Sequence, residues 1–400
     1  MDTLSAVSAL RYSEKELVSS LLLHATENHV PIALWRLPDS GLKHLIISDT
    51  YRPLDKDELL EELKPGFLMA PFDRAKSRLF IPGDLLLTFE NGHLKTNDAA
   101  LTEATAQWLR GHLRPGTGKR TIVSMPSAPQ ETKLDQTKES FIEMVKRGLI
   151  EIEKGTFEKI VPSRRRAVNL PDSFDVTQSF QKLCAAYPQA LISFVSIPGV
   201  GSWLGASPEV LVGVRDRTIF KTVALAGTLP YHEGTNIKSV AWTQKEIEEQ
   251  ALVERYVISC FKKIRLREYE EHGPRTVVAG NLMHLKSEFT VDMKATNFPQ
   301  MGSVMLDLLH PTSAVCGMPL EPSLQFLKEN EAYDRGFYAG YLGAVNVHNN
   351  IDLFVNLRCM QISGNQGIVY AGAGITVDSD PDKEWAETEM KFNTLLNVIL

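Results

Sequence analysis

The chain lacks most of the features that announce a simple functional class. Its 400 residues include only four cysteines, Cys184, Cys260, Cys316 and Cys359, all far apart. No CxxC pair exists for a structural metal or a dithiol, and reduced thiols are the default. No window approaches the roughly 18 uninterrupted apolar residues of a membrane span. The amino terminus, MDTLSAVSALRYSEKEL, has no basic n-region and carries Asp2, so no signal peptide is read and a cytoplasmic location is expected. Basic residues form no long block, and 43 Lys and Arg against 49 Asp and Glu leave a net charge of -6. Nucleic acid and anionic membrane surfaces are therefore not expected as partners. The ten histidines include no HExxH and none at zinc-ligand spacing from a cysteine. RPGTGKRT fails as a phosphate loop, because Arg120 follows Lys119 and Leu113 stands where the first glycine belongs. Gly372-Ala373-Gly374 lacks the third glycine of a dinucleotide fingerprint.

What the chain does have is an ordinary globular balance, 43% hydrophobic and 23% charged, and enough length to bury a large core. The one compositional break is at about 114–136, which reads as a surface connection. Before it, residues 1–113 hold strand-like runs such as IALWRL and HLIISDT; after it, residues 137–400 alternate strands and helices. Helices are expected from Asp135 to Lys154 with Gly155 as stop, from Thr243 to about Arg267, from Gln300 to Leu309, and from Asp380 to the end, where Asp380-Pro381 is an N-cap signal. Strands are expected at FEKIVPSRR, ALISFVS, SWLGAS, EVLVGV, TIFKTVALAG, RTVVAGNLMHL, FYAGYLGAVNV, IDLFVNLRCMQI and GIVYAGAGITV. The expected class is α+β or mixed α/β, with large antiparallel-rich sheets covered by helices.

Several polar groups sit at the edges of apolar strands. By pattern alone, Lys159 in FEKIVPSRR and Glu209 at the end of SWLGASPE each read as a solvated charge at a strand end. Two acidic helix faces are more pointed: Glu246 and Glu249 share one, and Glu384, Glu387 and Lys391 form another. Carboxylates from two helices with an open side suit Mg²⁺, which takes oxygen ligands and keeps several waters. The plainer alternative is dipole complementation and a Glu387–Lys391 surface pair worth about 0.3–0.5 kcal/mol.

GASPE at 205–209, LAGT at 225–228, HPTSAVCGMP at 310–319, DRGFYAGYLG at 334–343, VNLRCM at 355–360, YAGAGI at 370–375 and EWAETEMK at 384–391 follow one another in order. Together they resemble the motif set of the chorismate-utilising enzymes, which comprise isochorismate, salicylate, anthranilate and aminodeoxychorismate synthases. The resemblance covers residues 137–400. It implies one enzyme domain of the anthranilate synthase component I type, with residues 1–113 a divergent part of the same fold, and chorismate as substrate. Glu249 and Glu387 match the family's Mg²⁺ ligands. Arg358, Lys391 and the amides around Gly372 and Gly374 match groups that receive the substrate's two carboxylates, while Thr228, His284 and His310 match positions near its ring.

The same resemblance implies a branch. Lys159 matches the lysine with which isochorismate and salicylate synthases deprotonate water, where ammonia-using relatives carry Gln, so no amidotransferase subunit is expected. Ala226 stands where aminodeoxychorismate synthases place a nucleophilic lysine. Glu209 is then the general acid for the hydroxyl leaving C4. Ala314 resembles the small residue of isochorismate synthases, where salicylate synthases place threonine. Isochorismate synthesis is expected, feeding menaquinone, siderophore or salicylate routes, with salicylate synthesis the alternative and a non-catalytic chorismate-binding protein the alternative of another class. A monomer or weak homo-oligomer is expected. Gln250 and Glu246 depart from the family pattern, which more often has His and Asp there.

Overall fold

A computed structural model describes residues 13–95, 107–109, 111, 136–279 and 281–400. The surface connection read at 114–136, the Gly118-Lys119 dipeptide and the first twelve residues lie outside the described residues, apart from Gln136. Among the described residues no helix is long and apolar enough to cross a membrane.

Two antiparallel sheets of nine strands form the frame. The first runs, in spatial order, through His93–Leu94, Leu85–Glu90, Lys43–Ile47, Ile32–Arg36, Leu191–Ile197, Gly201–Ser207, Cys359–Ser363, Gln366–Gly372 and Ser163–Asn169. The second runs through Glu270–Ala279, Leu282–Asp292, Ile219–Pro230, Val210–Arg215, Asn350–Val355, Tyr341–Val347, Gly66–Ala70, Arg78–Pro82 and Arg52–Leu54. Ile32–Arg36 pairs with Leu191–Ile197 and Gly66–Ala70 with Tyr341–Val347, so strands preceding residue 95 are built into both sheets.

The first sheet is buried on both faces. Leu191, Val195 and Ile197 join the core shared by the two sheets, while Ile192 and Phe194 between them point into a second core. Its strands therefore read as continuous apolar runs rather than the apolar-polar alternation of a half-exposed antiparallel sheet. The second core is closed by α1 (Glu14–Asn28), α3 (Val176–Ala186) and α7 (Pro381–Ile399), through Leu17, Leu21, Phe180, Leu183, Phe392 and Leu395. Helices α4 (Gln244–Lys263) and α5 (Met301–Leu309) lie on the second sheet. α2 (Lys138–Glu153) and α6 (Leu320–Asn330) enclose a third core around Ile160, Cys316 and Ile375.

α2 begins at Lys138, three residues after the expected start at Asp135, and the other expected helices begin within one residue of their expected starts. Thr137 caps α2 and Gly155, at φ 76°, follows its end; Asp380 caps α7 by accepting from the Lys383 amide at 3.0 Å, with Pro381 in the first turn. α4 ends at Lys263, short of Arg267, because Arg265 turns left-handed at φ 58°. Helices α1, α3 and α6 were not anticipated, although Ser13 and Glu16 form a capping box before α1.

Three strands expected to be continuous are broken. FEKIVPSRR splits at Pro162 into Lys159–Ile160, which pairs with Gly317–Met318, and Ser163–Asn169 at the edge of the first sheet. IDLFVNLRCMQI splits at Asn356–Arg358, where the chain passes from the second sheet to the first and Arg358 adopts φ 47°. RTVVAGNLMHL is a hairpin of Glu270–Ala279 and Leu282–Asp292. The chain also changes sheets at Pro208-Glu209, between Ser207 and Val210. These crossings, where backbone leaves the ladder, lie side by side and leave room for side chains.

Candidate active site

A cavity opens among these crossings. Glu209 and Arg358 enter it from the two sheet-to-sheet passages, Ala314 from the loop after α5, Glu249 from α4 and Lys391 from α7. A bulge between Ala226 and Leu229 brings Gly227 and Thr228 to its wall. Gly227 needs its left-handed φ of 67° and its missing side chain, since a Cβ would lie 3.1 Å from the Glu246 Cβ on α4. His284, Gly372 and Gly374 complete the wall. Residues far apart in sequence thus meet in one place.

Lys159 and Glu209 are not the solvated charges that their pattern suggests; they are 0% and 3% exposed. The Lys159 ammonium lies 2.9 Å from Glu249 Oε1. Gly374 seals this pair: a Cβ there would stand 2.1 Å from Glu249 Oε1 and 3.1 Å from Lys159 Cε. Burial acts against the Glu249 charge, but the positive charges of Lys159, Lys245 and Lys391 outweigh it and hold the carboxyl below its ordinary range. Glu209 has the opposite fate. Burial pushes it up to about 7, against the pull of Lys159 and of Thr312, whose hydroxyl donates to Glu209 Oε1 at 3.3 Å.

His284 Nδ1 donates to the Gly227 carbonyl at 2.7 Å, since a carbonyl can only accept. Burial, with Arg358 nearby, lowers its pKa to about 3, so the ring is neutral. Its Nε2 is buried with no partner among the described residues, leaving a bare lone pair at the cavity wall. The Arg358 guanidinium has no hydrogen-bond partner among the described residues either. Burial lowers its pKa, while Tyr338, Glu387 and Glu209 oppose that. An unpaired guanidinium in a concave wall is suited to a carboxylate.

Lys391 donates to the Gly372 carbonyl at 2.7 Å and pairs with Glu387 Oε1 at 2.6 Å. This is no surface pair, since the two side chains are 13% and 12% exposed. α7 is fixed on the sheet by Arg164, which lies 3.6 Å above the Trp385 ring and donates from Nε to Thr388 Oγ1 at 2.6 Å. Of the amides around Gly372 and Gly374, those of Ala373 and Ile375 are spent on Pro162 O and Ile160 O. His310 is not at the cavity wall. Its Nε2 lies 3.1 Å from Pro71 O, its ring meets Tyr341 edge-on, and burial lowers its pKa to about 4.

For a metal, the donor set is hard oxygen. Glu249 and Glu387 are each paired to a lysine, Glu384 Oε2 is buried without a partner among the described residues, and the Lys245 ammonium sits 2.7 Å from Glu384 Oε1 and 3.9 Å from Glu387 Oε2. A cationic group already stands among these carboxylates, which fits a cation position. No ready cluster of three or more acidic, His or Cys ligands exists among the described residues. Two carboxylates completed by water and substrate are how Mg²⁺ is commonly held.

Glu246 and Gln250 are both turned to other work. Glu246 accepts from the Thr243 amide at 3.0 Å as a helix cap, and Gln250 donates to Ala224 O at 3.2 Å, tying α4 to the second sheet. Lys245, one residue before Glu246, and the cavity-lining Tyr338, in DRGFYAGYLG, were not anticipated from the chain. Both stood beside residues that were singled out, yet neither has a spacing that marks it.

The chain is 29% identical over 282 residues to "Isochorismate synthase EntC" of Escherichia coli strain K12, covering 69% of both chains. It is 26% identical over 326 residues to "Isochorismate synthase MenF" of Haemophilus influenzae, covering 80% of this chain and 74% of the relative. In fold it is similar to the menaquinone-specific isochorismate synthase MenF of Escherichia coli, with a TM-score of 0.73 at 21% identity over 95% of this chain and 91% of that one. It is also similar to anthranilate synthase component I of Streptococcus pneumoniae, with a TM-score of 0.65 at 19% identity over 91% and 89% of the two chains. The profile of the family described as "Chorismate binding enzyme" matches residues 83–400, and the chain belongs to that family.

Proposed function

We propose that this protein is an isochorismate synthase, which adds water at C2 of chorismate and expels the hydroxyl at C4. The observation that carries the reading is a carboxyl pushed up to about 7, Glu209, in the same cavity as an unpaired guanidinium and beside the buried Lys159–Glu249 pair. An acid half protonated near neutral pH can give a proton to a leaving hydroxyl, which departs as water. Lys159, once its ammonium has released a proton to solvent, takes the proton of the attacking water as the neutral amine. One proton is gained and one given, so the reaction balances as an isomerisation, and solvent exchange resets both groups.

The substrate is a dianion and needs counter-charge. Arg358 and Lys391 supply it, and the neutral His284 offers Nε2 to a substrate hydroxyl rather than a second proton. Thr228 adds a hydroxyl to the wall, and Ala314 leaves space beside the ring. Glu249 and Glu387 would hold Mg²⁺, which when bound neutralises the ring carboxylate. Water as nucleophile requires no ammonia-delivering partner. The relatives named as isochorismate synthases support the reading, and two of the names, one vibriobactin-specific and one menaquinone-specific, connect the product with vibriobactin and menaquinone.

The test is incubation of the purified protein with chorismate and MgCl₂, with products separated by chromatography and identified by ultraviolet spectrum, because an isomerisation leaves the mass unchanged. A new species isobaric with chorismate is expected. Salicylate with pyruvate as the main products would reassign the chain to salicylate synthesis. Anthranilate formed on adding ammonium would overturn the role given to Lys159.

A further inference from the structure

Lys245 is a residue that local rules do not explain. It lies in the first turn of α4, where the exposed amides create a positive end and a cation is unfavourable. Its side chain is nevertheless only 17% exposed and crosses to α7, reaching Glu384 Oε1 at 2.7 Å and Glu387 Oε2 at 3.9 Å. The other oxygen of Glu387 is held by Lys391 at 2.6 Å, and Glu249, further along α4, is held by Lys159 at 2.9 Å. Three carboxyl groups thus face three ammonium groups, so the buried cluster has no surplus of negative charge to draw a cation in. A residue placed against its local preference points to a tertiary role.

We infer that Lys245 is an internal cation that holds the carboxylates of α4 and α7 together in the metal-free protein and must give up Glu387 when a divalent cation enters. The inference rests on the assignment of Glu249 and Glu387 as metal ligands. Adding a doubly charged cation to a cluster with no surplus negative charge leaves excess positive charge, which a dianionic substrate offsets. Lys245 therefore weakens Mg²⁺ binding when substrate is absent and makes binding of metal and dianion mutually favourable. It is a positioning residue rather than a catalytic one, because nothing places it at the cavity wall.

The experiment uses the metal-stripped full-length protein, with Mg²⁺ binding followed by calorimetry, Mn²⁺ binding by electron paramagnetic resonance, and thermal unfolding measured in chelator and in MgCl₂. Lys245→Met should tighten Mg²⁺ on the order of tenfold or more without chorismate, since a like charge close to the ion is removed. It should melt lower than wild type in chelator, because Glu384 loses its partner, and should gain more from MgCl₂. Lys245→Arg should behave as wild type. Lys245→Gln, which keeps a donor to Glu384 without the charge, serves the same purpose if the Met variant does not fold. Chorismate should raise the Mg²⁺ affinity of wild type by a larger factor than that of either neutral variant.

Equal or weaker Mg²⁺ affinity in a folded neutral variant overturns the inference while leaving the metal assignment in place. Wild type that binds no Mg²⁺ with or without chorismate, or Glu387→Gln that binds it as wild type does, overturns the metal assignment and the inference with it.

Discussion

The two ends of the cavity hold buried carboxylates with opposite fates. Glu209 sits at a sheet crossing with a threonine hydroxyl as its hydrogen-bond donor, and burial drives it up to about 7. Glu249 is as deeply placed on α4, yet the lysine at 2.9 Å and further cations keep it ionised. Residue type is the same and burial is similar, so the difference lies in the neighbours. A carboxyl without a close cation is prepared to donate a proton, and one with a close cation is prepared to bear charge.

The comparison breaks most severely if the proton donor is removed. Glu209→Gln keeps size and burial but cannot donate to a leaving hydroxyl, and turnover should fall by about 10² to 10⁴. Circular dichroism and thermal unfolding should show a fold as stable as wild type or more so, since a costly buried carboxyl has gone. Turnover within a factor of two of wild type would remove Glu209 from the acid role.

The other end is broken by Gly374→Ala, whose methyl would occupy the place of Glu249 Oε1. The carboxylate must rotate away from Lys159 and from any metal. Mg²⁺ affinity and turnover should both fall by at least about tenfold, an effect comparable to losing one buried charged hydrogen bond. Calorimetry of Mg²⁺ binding separates this from a simple packing defect, which would leave the affinity unchanged.

The contrast is sharpened by pH. As the acid of the proposed reaction Glu209 must be protonated, so kcat/KM should fall about tenfold per pH unit above about 7, and the Gln variant should lack that limb. Stability follows the same group. Its folded pKa is raised above the unfolded value of 4.5, so its stabilising share is full below about 4.5 and is lost as pH rises through about 7, amounting to roughly 3 kcal/mol. Chemical unfolding at pH 5 and pH 8 should show this fall in wild type and a smaller one in Glu209→Gln.

The smallest effect is expected between the two ends. Ala314→Thr adds a hydroxyl and a methyl to the cavity wall without touching either carboxylate. KM for chorismate should rise several-fold with kcat within about threefold, since a crowded wall weakens binding by 1–2 kcal/mol. A large loss of kcat would show that this wall reaches the reacting atoms.

How much of this could be read from the chain depends on the range of each interaction. Gly155, Asp380 and Pro381 predict helix ends because caps and stops act over three or four residues. The broken strands were not legible. An apolar run such as IDLFVNLRCMQI looks the same whether it stays in one sheet or passes to the other at Asn356–Arg358, since both sheets demand apolar residues. Lys159 and Glu209 were misjudged by pattern for a related reason: a charge at a strand end reads as solvated unless something distant covers it. The ordered motifs nevertheless brought most of the site residues to attention, with Lys245 and Tyr338 the exceptions.

The sequence by itself determined the helix starts, the sheet-rich class and the set of chemical groups, because caps, apolar runs and motif order are local properties of the chain. Only the tertiary structure decided which charges meet. Lys159 with Glu249, Lys245 with Glu384 and Lys391 with the Gly372 carbonyl are contacts between separate elements. Whether Glu209 is acid or anion follows from the water removed and the cations left around it, and both are set by packing rather than by neighbours in the chain.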